Sequence, residues 1–512
     1  MAATPPTTAD PGSGLSPEVR RVAAVVVVGA IMSILDTTIV NIGLETLSRD
    51  LHAPLSTIQW VSTAYLLALA TVIPLTGWAA ERFGAKRMWM LSVGAFVIAS
   101  VLCGLAWNAE SLIAFRVLQG LAGGMIMPIG IITLAQAAGP RNMGRVMSIV
   151  GVPMLLAPVF GPLLGGLIID HLSWPWLFFV NVPFGIVGLV LAARRMRDDR
   201  AAGHHEHAGK LDVPGLLLLA PGVALIVYGL SEIAATGTVL GWRELSPVAI
   251  GTVMASLFAW RSWRHDFPVV DVRLLQGRGF AAATVTMTFA GAALFGGMVL
   301  LPLYYQLDRG LDAVLVGLLL APQGIGAAAA MRWSGRLTDR YGGGPIVTVG
   351  LLVLLVGTVP FALVTSTTPY WLLALALLVR GVGLGFTLMP TMASAYALLD
   401  HHEVPRATPM LNVLQRIGGA VGVAVLTVIL QRSLEDAAAN PGGNPGNAVA
   451  GAFGTAYWWS MVVVAVALLP ALYLWREQRR TAGAAEFGPA LPADAEIDTV
   501  DLDAPDAAPI SR

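Results

Sequence analysis

Two ionisable residues stand inside otherwise apolar segments in the first half of this 512-residue chain, Asp36 and Arg116. An ionisable group in the hydrocarbon core of a membrane costs about 2.5 to 3.5 kcal/mol on insertion scales, so such groups usually have a function. Burial disfavours the charged form of a carboxylate and a nearby guanidinium favours it, so a change in either alters its affinity for a proton. Asp36 is therefore a candidate proton carrier, with Arg116 as its electrostatic partner. The alternative is a static ion pair that fastens two helices.

The elements that must position these residues are long apolar helices. The chain is 56% hydrophobic and 12% charged, with a mean hydropathy of +0.72, which leaves too little polar surface to cover a soluble body. Apolar stretches of roughly 20 residues, the length of a bilayer-spanning helix, recur along the sequence. They predict fourteen spans, the eighth being the weakest, near Val22–Leu44, Thr57–Ala80, Met88–Trp107, Leu112–Gln136, Val146–Ile169, Leu177–Ala193, Val213–Ser231, Pro247–Trp260, Phe280–Leu307, Val314–Met331, Ile346–Val364, Trp371–Leu399, Thr408–Gln431 and Thr455–Trp475.

Asp36 and Arg116 are expected at similar depth in the bilayer. Asp36 lies 14 residues after Val22, which places it about 21 Å along a helix that rises 1.5 Å per residue. A bilayer core is about 30 Å thick, so Asp36 falls in its outer half. Arg116 lies about one turn into the fourth span, which enters from the outer side. A pairing between the two side chains is therefore geometrically reasonable.

Basic residues indicate the orientation, because they concentrate in cytoplasmic loops. With both termini inside, 23 of the 31 Lys and Arg residues fall in cytoplasmic segments, four outside and three within helices, and one is the terminal Arg512. We therefore expect a multi-pass protein of the cytoplasmic membrane with both termini in the cytoplasm. The first 18 residues lack a basic region ahead of a short apolar core, so no cleaved signal is predicted.

Other features exclude particular partners. A formal net charge of zero argues against nucleic acid, and the single Cys103 excludes an internal disulfide and a cysteine metal site. The cluster His204-His205-Glu206-His207 could bind a metal, but a solvated loop is the simpler interpretation. No nucleotide-binding loop of the Gly-x-x-x-x-Gly-Lys type occurs in the sequence. We predict no metal and no cofactor, and a proton gradient in place of ATP as the energy source.

A motif occurs twice, once after each of two long apolar runs, beginning at Gly77 and at Gly335. The glycines permit close helix approach, and the acidic residues can pair with the start of an opposing helix in one state only, so the motif is a candidate conformational latch. Glu81 is expected to face the start of the thirteenth span near Thr408, and Asp339 the start of the fifth near Arg145. The second copy lacks the final basic pair, so its latch is expected to be weaker. The residues assigned to the latch are Gly77, Glu81, Arg82, Gly84, Arg87, Gly335, Asp339 and Arg340.

The repeat predicts two related halves that rock about a central site, as in transporters built from internal repeats. The expected fold is an all-α polytopic membrane protein with two six-helix bundles and two inserted helices. The predicted segments are a disordered tail over 1–18, the first bundle over 19–196, a basic linker with the two inserted helices over 197–279, the second bundle over 280–476 and a disordered tail over 477–512.

Five segments resemble the fourteen-helix drug:proton antiporters of the major facilitator superfamily. They are the doubled loop motif, Leu35–Asn41 in the first span, Leu112–Gly120 in the fourth, Gly151–Gly166 in the fifth and Trp174–Pro183 entering the sixth. The resemblance implies proton-coupled drug export and an antiporter motif made of Gly151, Pro158, Gly161, Pro162 and Gly165. The first-span signature departs from the family pattern at Gly43-Leu-Glu45, where a proline usually follows.

The sequence thus predicts a monomeric secondary transporter, not an enzyme, that exchanges protons for hydrophobic or amphiphilic small molecules such as drugs, antibiotics and dyes. A dedicated metabolite or lipid exporter of the same fold, and a non-transporting membrane sensor, stay open as alternatives. The lone central carboxylate favours neutral, zwitterionic or monovalent cationic substrates over divalent cations. Candidate cavity residues are Asn41, Trp60, Tyr65, Gln119, Phe289, Tyr304, Tyr305, Gln306, Asn412 and Gln415. Roles for Glu45, Glu232, Arg380 and Arg416 are not assigned.

Overall fold

A computed structural model describes residues 15–139, 142–196, 210–238, 241–400, 402–439 and 445–486, and the regular structure of these ranges is helical. The His204–His207 cluster and most of the basic linker lie outside them. The first half contains α1 (Pro17–Ile42), α2 (Leu44–Asp50), α3 (Leu55–Val72), α4 (Thr76–Phe83), α5 (Ala85–Gly104), α6 (Ala109–Ala138), α7 (Met143–His171), α8 (Trp176–Phe179) and α9 (Asn181–Arg195). The insert contains α10 (Val213–Thr236) and α11 (Trp242–Arg264). The second half contains α12 (Arg278–Leu307), α13 (Ala313–Tyr341), α14 (Gly343–Ala362), α15 (Tyr370–Ala397), α16 (Val404–Ala439) and α17 (Pro445–Glu486).

Fourteen spans account for these helices. Within the described ranges, twelve segments are both long and apolar enough to cross a bilayer. The other two spans are α7 and α11, whose 29 and 23 residues also suffice at 1.5 Å per residue. The second span consists of α3, a 3-10 turn over Ile73–Leu75 and α4, and the sixth consists of α8 and α9. The break expected at Thr365–Pro369 separates α14 from α15.

The terminal helices extend into both segments that were expected to be disordered tails. The first helix begins at Pro17, because the Ser16 side chain accepts a hydrogen bond from the Val19 amide and proline suits the first helical position. The last helix continues to Glu486 through a run of Arg, Gln, Glu and Ala, which are good helix formers. The second bundle begins at Arg278, two residues before the expected boundary at 280.

The two halves have corresponding packing. In the first half α1 packs on α6, α7 and α9, and α3 packs on α6. In the second half α12 packs on α15, α16 and α17, and α13 packs on α15. The halves meet where α7 contacts α13 and α4 contacts α16, while the inserted α10 touches α3 in one half and α16 in the other. The protein therefore has two six-helix bundles and two inserted helices, as predicted.

Both copies of the loop motif contain a glycine in the left-handed region of backbone space at the turn between two helices. Gly84 has a φ of 88° and separates α4 from α5, and Gly342 has a φ of 80° and separates α13 from α14. A side chain would strain either position, so glycine is required for these reversals. We call the membrane face that carries these two turns the motif side, and the other face the far side.

Candidate functional site

Asp36 lies at the centre of a buried polar cluster formed by α1, α6 and α9. Its side chain is fully buried, and its Oδ2 is 2.7 Å from Nη1 of Arg116. Its Oδ1 accepts hydrogen bonds from Gln119 Nε2 at 2.9 Å and from Asn181 Nδ2 at 2.8 Å. Ser100 of α5 accepts from both amides at 3.1 Å and donates to the Phe178 carbonyl. Three donors, from α6 and α9, therefore contact the buried carboxylate.

Arg116 is held as firmly as the carboxylate it faces. Its Nε donates to the Val61 carbonyl at 3.0 Å, and its Nη1 also donates to Gln119 Oε1 at 2.7 Å. The Tyr65 ring lies 3.9 Å from the guanidinium carbon, which is a cation–π contact. The guanidinium is therefore fixed by α3 and by its own helix, while its acid partner belongs to α1. A movement of α1 relative to α6 changes the distance between the two charges.

The pairing of Asp36 with Arg116 is confirmed, but part of the cluster was not predicted from the sequence. Gln119 and Tyr65 were expected to line a substrate cavity, and both instead belong to this buried cluster. Asn181 was noted only as part of a family segment, and Ser100 was not considered. An amide at the start of the apolar sixth span was the available signal for Asn181. Depth along a helix can be counted from sequence, whereas the direction in which a side chain points depends on packing.

On the motif side, Asp339 at the end of α13 binds the start of α7. It accepts hydrogen bonds from the backbone amides of Gly144 at 2.8 Å and Arg145 at 3.3 Å, and it forms an ion pair with Arg145 Nε at 3.4 Å. This is the arrangement expected of a carboxylate at the positive end of a helix dipole. The second motif copy thus binds the start of α7 through three contacts of Asp339, and the relative strength of the two latches stays a prediction.

Glu81 at the end of α4 faces the start of α16. Its Oε1 is 3.5 Å from Arg406 Nε, two residues before the expected neighbour Thr408. The motif glycines allow these approaches, because a Cβ on Gly77 would meet the Pro405 carbonyl and one on Gly335 would lie 2.6 Å from the Gly144 carbonyl. The structure thus joins the two halves on the motif side. The exposed side chains of Arg82, Arg87 and Arg340 lie at the surface, and only Arg340 has a described contact, over the Tyr341 ring.

The antiporter-motif glycines of α7 lie at helix crossings. Gly161 and Gly165 face Thr38 and Ile39 of α1, and Gly151 faces Met389 of α15. The side chains of Pro158 and Pro162 lie outside the described set. α7 therefore contacts the other half through its first part, from Gly144 to Gly151, and its own half through its later part at Gly161 and Gly165.

The remaining cavity candidates are not brought together. Tyr304 and Tyr305 are fully buried and pack on each other and on Phe453 at the far side, and Trp60 stacks on Tyr228 of the inserted α10. The others have separate surroundings: Asn41 accepts a hydrogen bond from Ser62, Asn412 donates to the Thr408 carbonyl, Phe289 packs on the main apolar core, Gln306 is exposed, and Gln415 is buried with no hydrogen-bond partner for Nε2.

Comparison with known proteins assigns the family. Residues 26–423 match the sequence profile of the Major Facilitator Superfamily. This chain belongs to that superfamily. It is 40% identical over 413 residues to a multidrug resistance protein B homolog of Mycobacterium tuberculosis, covering 80% of this chain and 76% of the relative. It is 31% identical over 406 residues to the methylenomycin A resistance protein of Streptomyces coelicolor, covering 78% and 84%, and 31% identical over 402 residues to the multidrug export protein EmrB of Haemophilus influenzae, covering 77% of each.

Solved structures support the same fold for this superfamily member. The proton:xylose symporter XylE matches with a TM-score of 0.62 at 14% identity, over 90% of this chain and 95% of XylE. The human organic anion transporter MFSD10 matches with a TM-score of 0.61 at 17% identity, over 90% of this chain and all of the other. At these identities the likeness concerns the fold alone. Its membership of the superfamily and its many apolar helices make the protein a multi-pass membrane transporter rather than an enzyme.

Proposed function

We propose that this protein is a proton-coupled antiporter that exports hydrophobic or amphiphilic small molecules across the cytoplasmic membrane. The observation that carries the proposal is the Asp36 carboxylate, fully buried in a membrane helix and held by donors from two other helices. A carboxylate at this depth is costly, and ionisable groups that are kept inside a membrane usually belong to ion or proton pathways. The names of the relatives, which concern multidrug and antibiotic resistance, support drugs and antibiotics as the substrate class.

The geometry offers a route from proton binding to movement. A protonated carboxyl gains an O–H donor and loses its charge, so it cannot keep all three donors that Asp36 binds now. Arg116 keeps its proton, so the weakened contact is the one between α1 and α6. Proton binding would therefore loosen α1 from α6. Since α1 also packs on α7, which contacts the other half, the change can reach the interface between the halves.

Alternating access supplies the second half of the proposal. The Asp339 and Glu81 contacts join the halves on the motif side. The concentration of Lys and Arg in the loops of that side supports a cytoplasmic location for it and for both termini. In this state the route to the cytoplasm is closed. Release of the two contacts would open the cytoplasmic side and let a proton leave while substrate enters. We propose that one chain performs this cycle as a monomer.

The test is an efflux screen in proteoliposomes with an imposed pH gradient, using a panel of dyes and antibiotics. Asp36→Asn is compared with Asp170→Asn, a matched control at an exposed position near the end of α7. We expect gradient-driven movement of several compounds by the parent and the control, and its loss in Asp36→Asn. Movement of one chemical class only would identify a dedicated exporter. Absence of gradient-linked flux for every compound would contradict the proposal and favour a sensor.

A further inference from the structure

The second half contains a buried arginine without an acid. Arg380 of α15 is 1% exposed, and its described hydrogen bond runs from Nη1 to Gln323 Oε1 of α13 at 3.1 Å. Its Nε has no hydrogen-bond partner. None of the ion pairs among the described residues includes Arg380. An unpaired charge in a membrane interior is costly, so this arrangement needs an explanation.

The first half shows what such an arginine pairs with. Arg380 lies in α15 and Arg116 in α6, and α12 packs on α15 as α1 packs on α6. Asp36 is the twentieth residue of α1, and the twentieth residue of α12 is Gly297. Gly297 lies directly against the Arg380 guanidinium, since a Cβ built there would contact Nη2. The second half therefore repeats the arginine of the proton site and has glycine in place of its carboxylate.

Among the described residues, the surroundings of Arg380 supply a further hydrogen-bond donor and no negatively charged partner. The hydroxyl of Tyr457 on α17 is buried without a hydrogen-bond partner, and its ring is within electrostatic range of the Arg380 guanidinium. Arg380 therefore adds positive charge to the membrane interior of the second half, while Arg116 in the first half is paired with Asp36.

We propose that Arg380 binds the anionic group, a carboxylate or an equivalent monoanion, of the exported amphiphile. The ligand supplies the acid that Gly297 omits, and the absence of a side chain there leaves the guanidinium accessible from the α12 side when the helices separate. This inference rests on the proposed export function and narrows its substrate class. It replaces the preference for neutral or cationic substrates drawn from Asp36 alone, because that carboxylate is already neutralised by Arg116.

The test compares two fluorescent probes of the same skeleton, 1-pyrenebutyrate and 1-pyrenebutyramide, in binding to the purified protein and in transport by proteoliposomes. The variants are Arg380→Gln, Gly297→Asp, which supplies an internal carboxylate, and Gly297→Asn, which adds the same bulk without charge. For Arg380→Gln and Gly297→Asp we expect about a tenfold or greater loss of affinity and kcat/KM for the carboxylate, the size of a lost charged hydrogen bond. The amide should change about twofold or less.

Several outcomes would overturn the inference. An unchanged ratio between the probes in Arg380→Gln would make Arg380 a structural residue, and equal losses in Gly297→Asn and Gly297→Asp would indicate crowding. Thermal stability measured with chloride and with sulfate identifies the source of the anion. If chloride shifts the thermal midpoint of the parent but not of Arg380→Gln, and neither pyrene probe is preferred, Arg380 binds a free small anion instead of the exported compound. If the parent exports other compounds but prefers the amide probe to the carboxylate probe, the role of Arg380 is contradicted and the export function stands. Selective binding of the carboxylate with no flux of any compound would contradict the export function instead.

Discussion

Replacement of Asp339 tests the contact that closes the motif side. Asp339→Asn keeps one carbonyl oxygen, which can still accept from the Gly144 amide, and loses the second acceptor and the charge that faces Arg145. A hydrogen bond to a charged group contributes about 1.5 to 3 kcal/mol. Because the Arg145 side chain is 27% exposed, solvent screens part of this, and we take about 2 kcal/mol. The balance between the closed and open motif side should then shift about 30-fold toward the open state.

Spin labels on the two halves measure this shift. Cys103 is buried and can be replaced by serine, so labels at the exposed positions Ala137 and Arg340 report the separation of α6 and α13 on the motif side. The matched control is Asp312→Asn, which alters the N-cap at the opposite end of α13, where asparagine caps equally well. We expect longer distances in Asp339→Asn and no change in the control. Identical distance distributions in all three proteins would refute the closing role of Asp339.

Three further predictions follow from the same structure. Glu81→Gln should also favour the open motif side, by up to about fivefold from loss of the partly exposed Arg406 pair. Labels at Arg82 and His402 should then show longer distances than in the parent, and unchanged distances would contradict a closing role for Glu81. Burial raises the pKa of Asp308 above its ordinary value of 3.8, so ionisation of this carboxyl destabilises the fold as the pH rises through the raised pKa. Asp308→Asn should therefore increase the thermal midpoint of unfolding at pH about 8, and this increase should become smaller on acidification. Cysteines placed between Arg194 and Lys210 should react with an impermeant thiol reagent only after the membrane is opened, and labelling in intact cells would reverse the proposed topology.

The fold could be predicted from sequence because each of its determinants is local. Apolar runs of bilayer length define the spans, and the doubled motif relates the halves. The break at Thr365–Pro369 and the reversals at Gly84 and Gly342 follow from residue types that end helices. The sequence could not define the limits of α1 and α17, because helix formers flank the apolar runs at both ends of the chain.

The candidate site was predictable only in part. Counting along two helices placed Asp36 beside Arg116, and charge with helix polarity placed Asp339 beside Arg145. Rotation about a helix axis cannot be counted in this way, so Gln119 and Tyr65 were assigned to a cavity although they face the buried pair. The contrast between Asp36 and Gly297 also required the structure, because it appears only when the two halves are compared contact by contact.

Substrate-dependent proton movement tests the central claim most directly. Proteoliposomes that contain the parent or Asp36→Asn are loaded with a pH-sensitive dye and exposed to a compound that the parent exports. The two samples are matched for folded protein, because the variant leaves Arg116 buried without its acid. Addition of the compound should move protons in the opposite direction in the parent and leave the dye signal unchanged in Asp36→Asn, while binding of the compound persists. Proton movement of equal rate in the variant would contradict the account and leave Asp36 as one member of a structural ion pair.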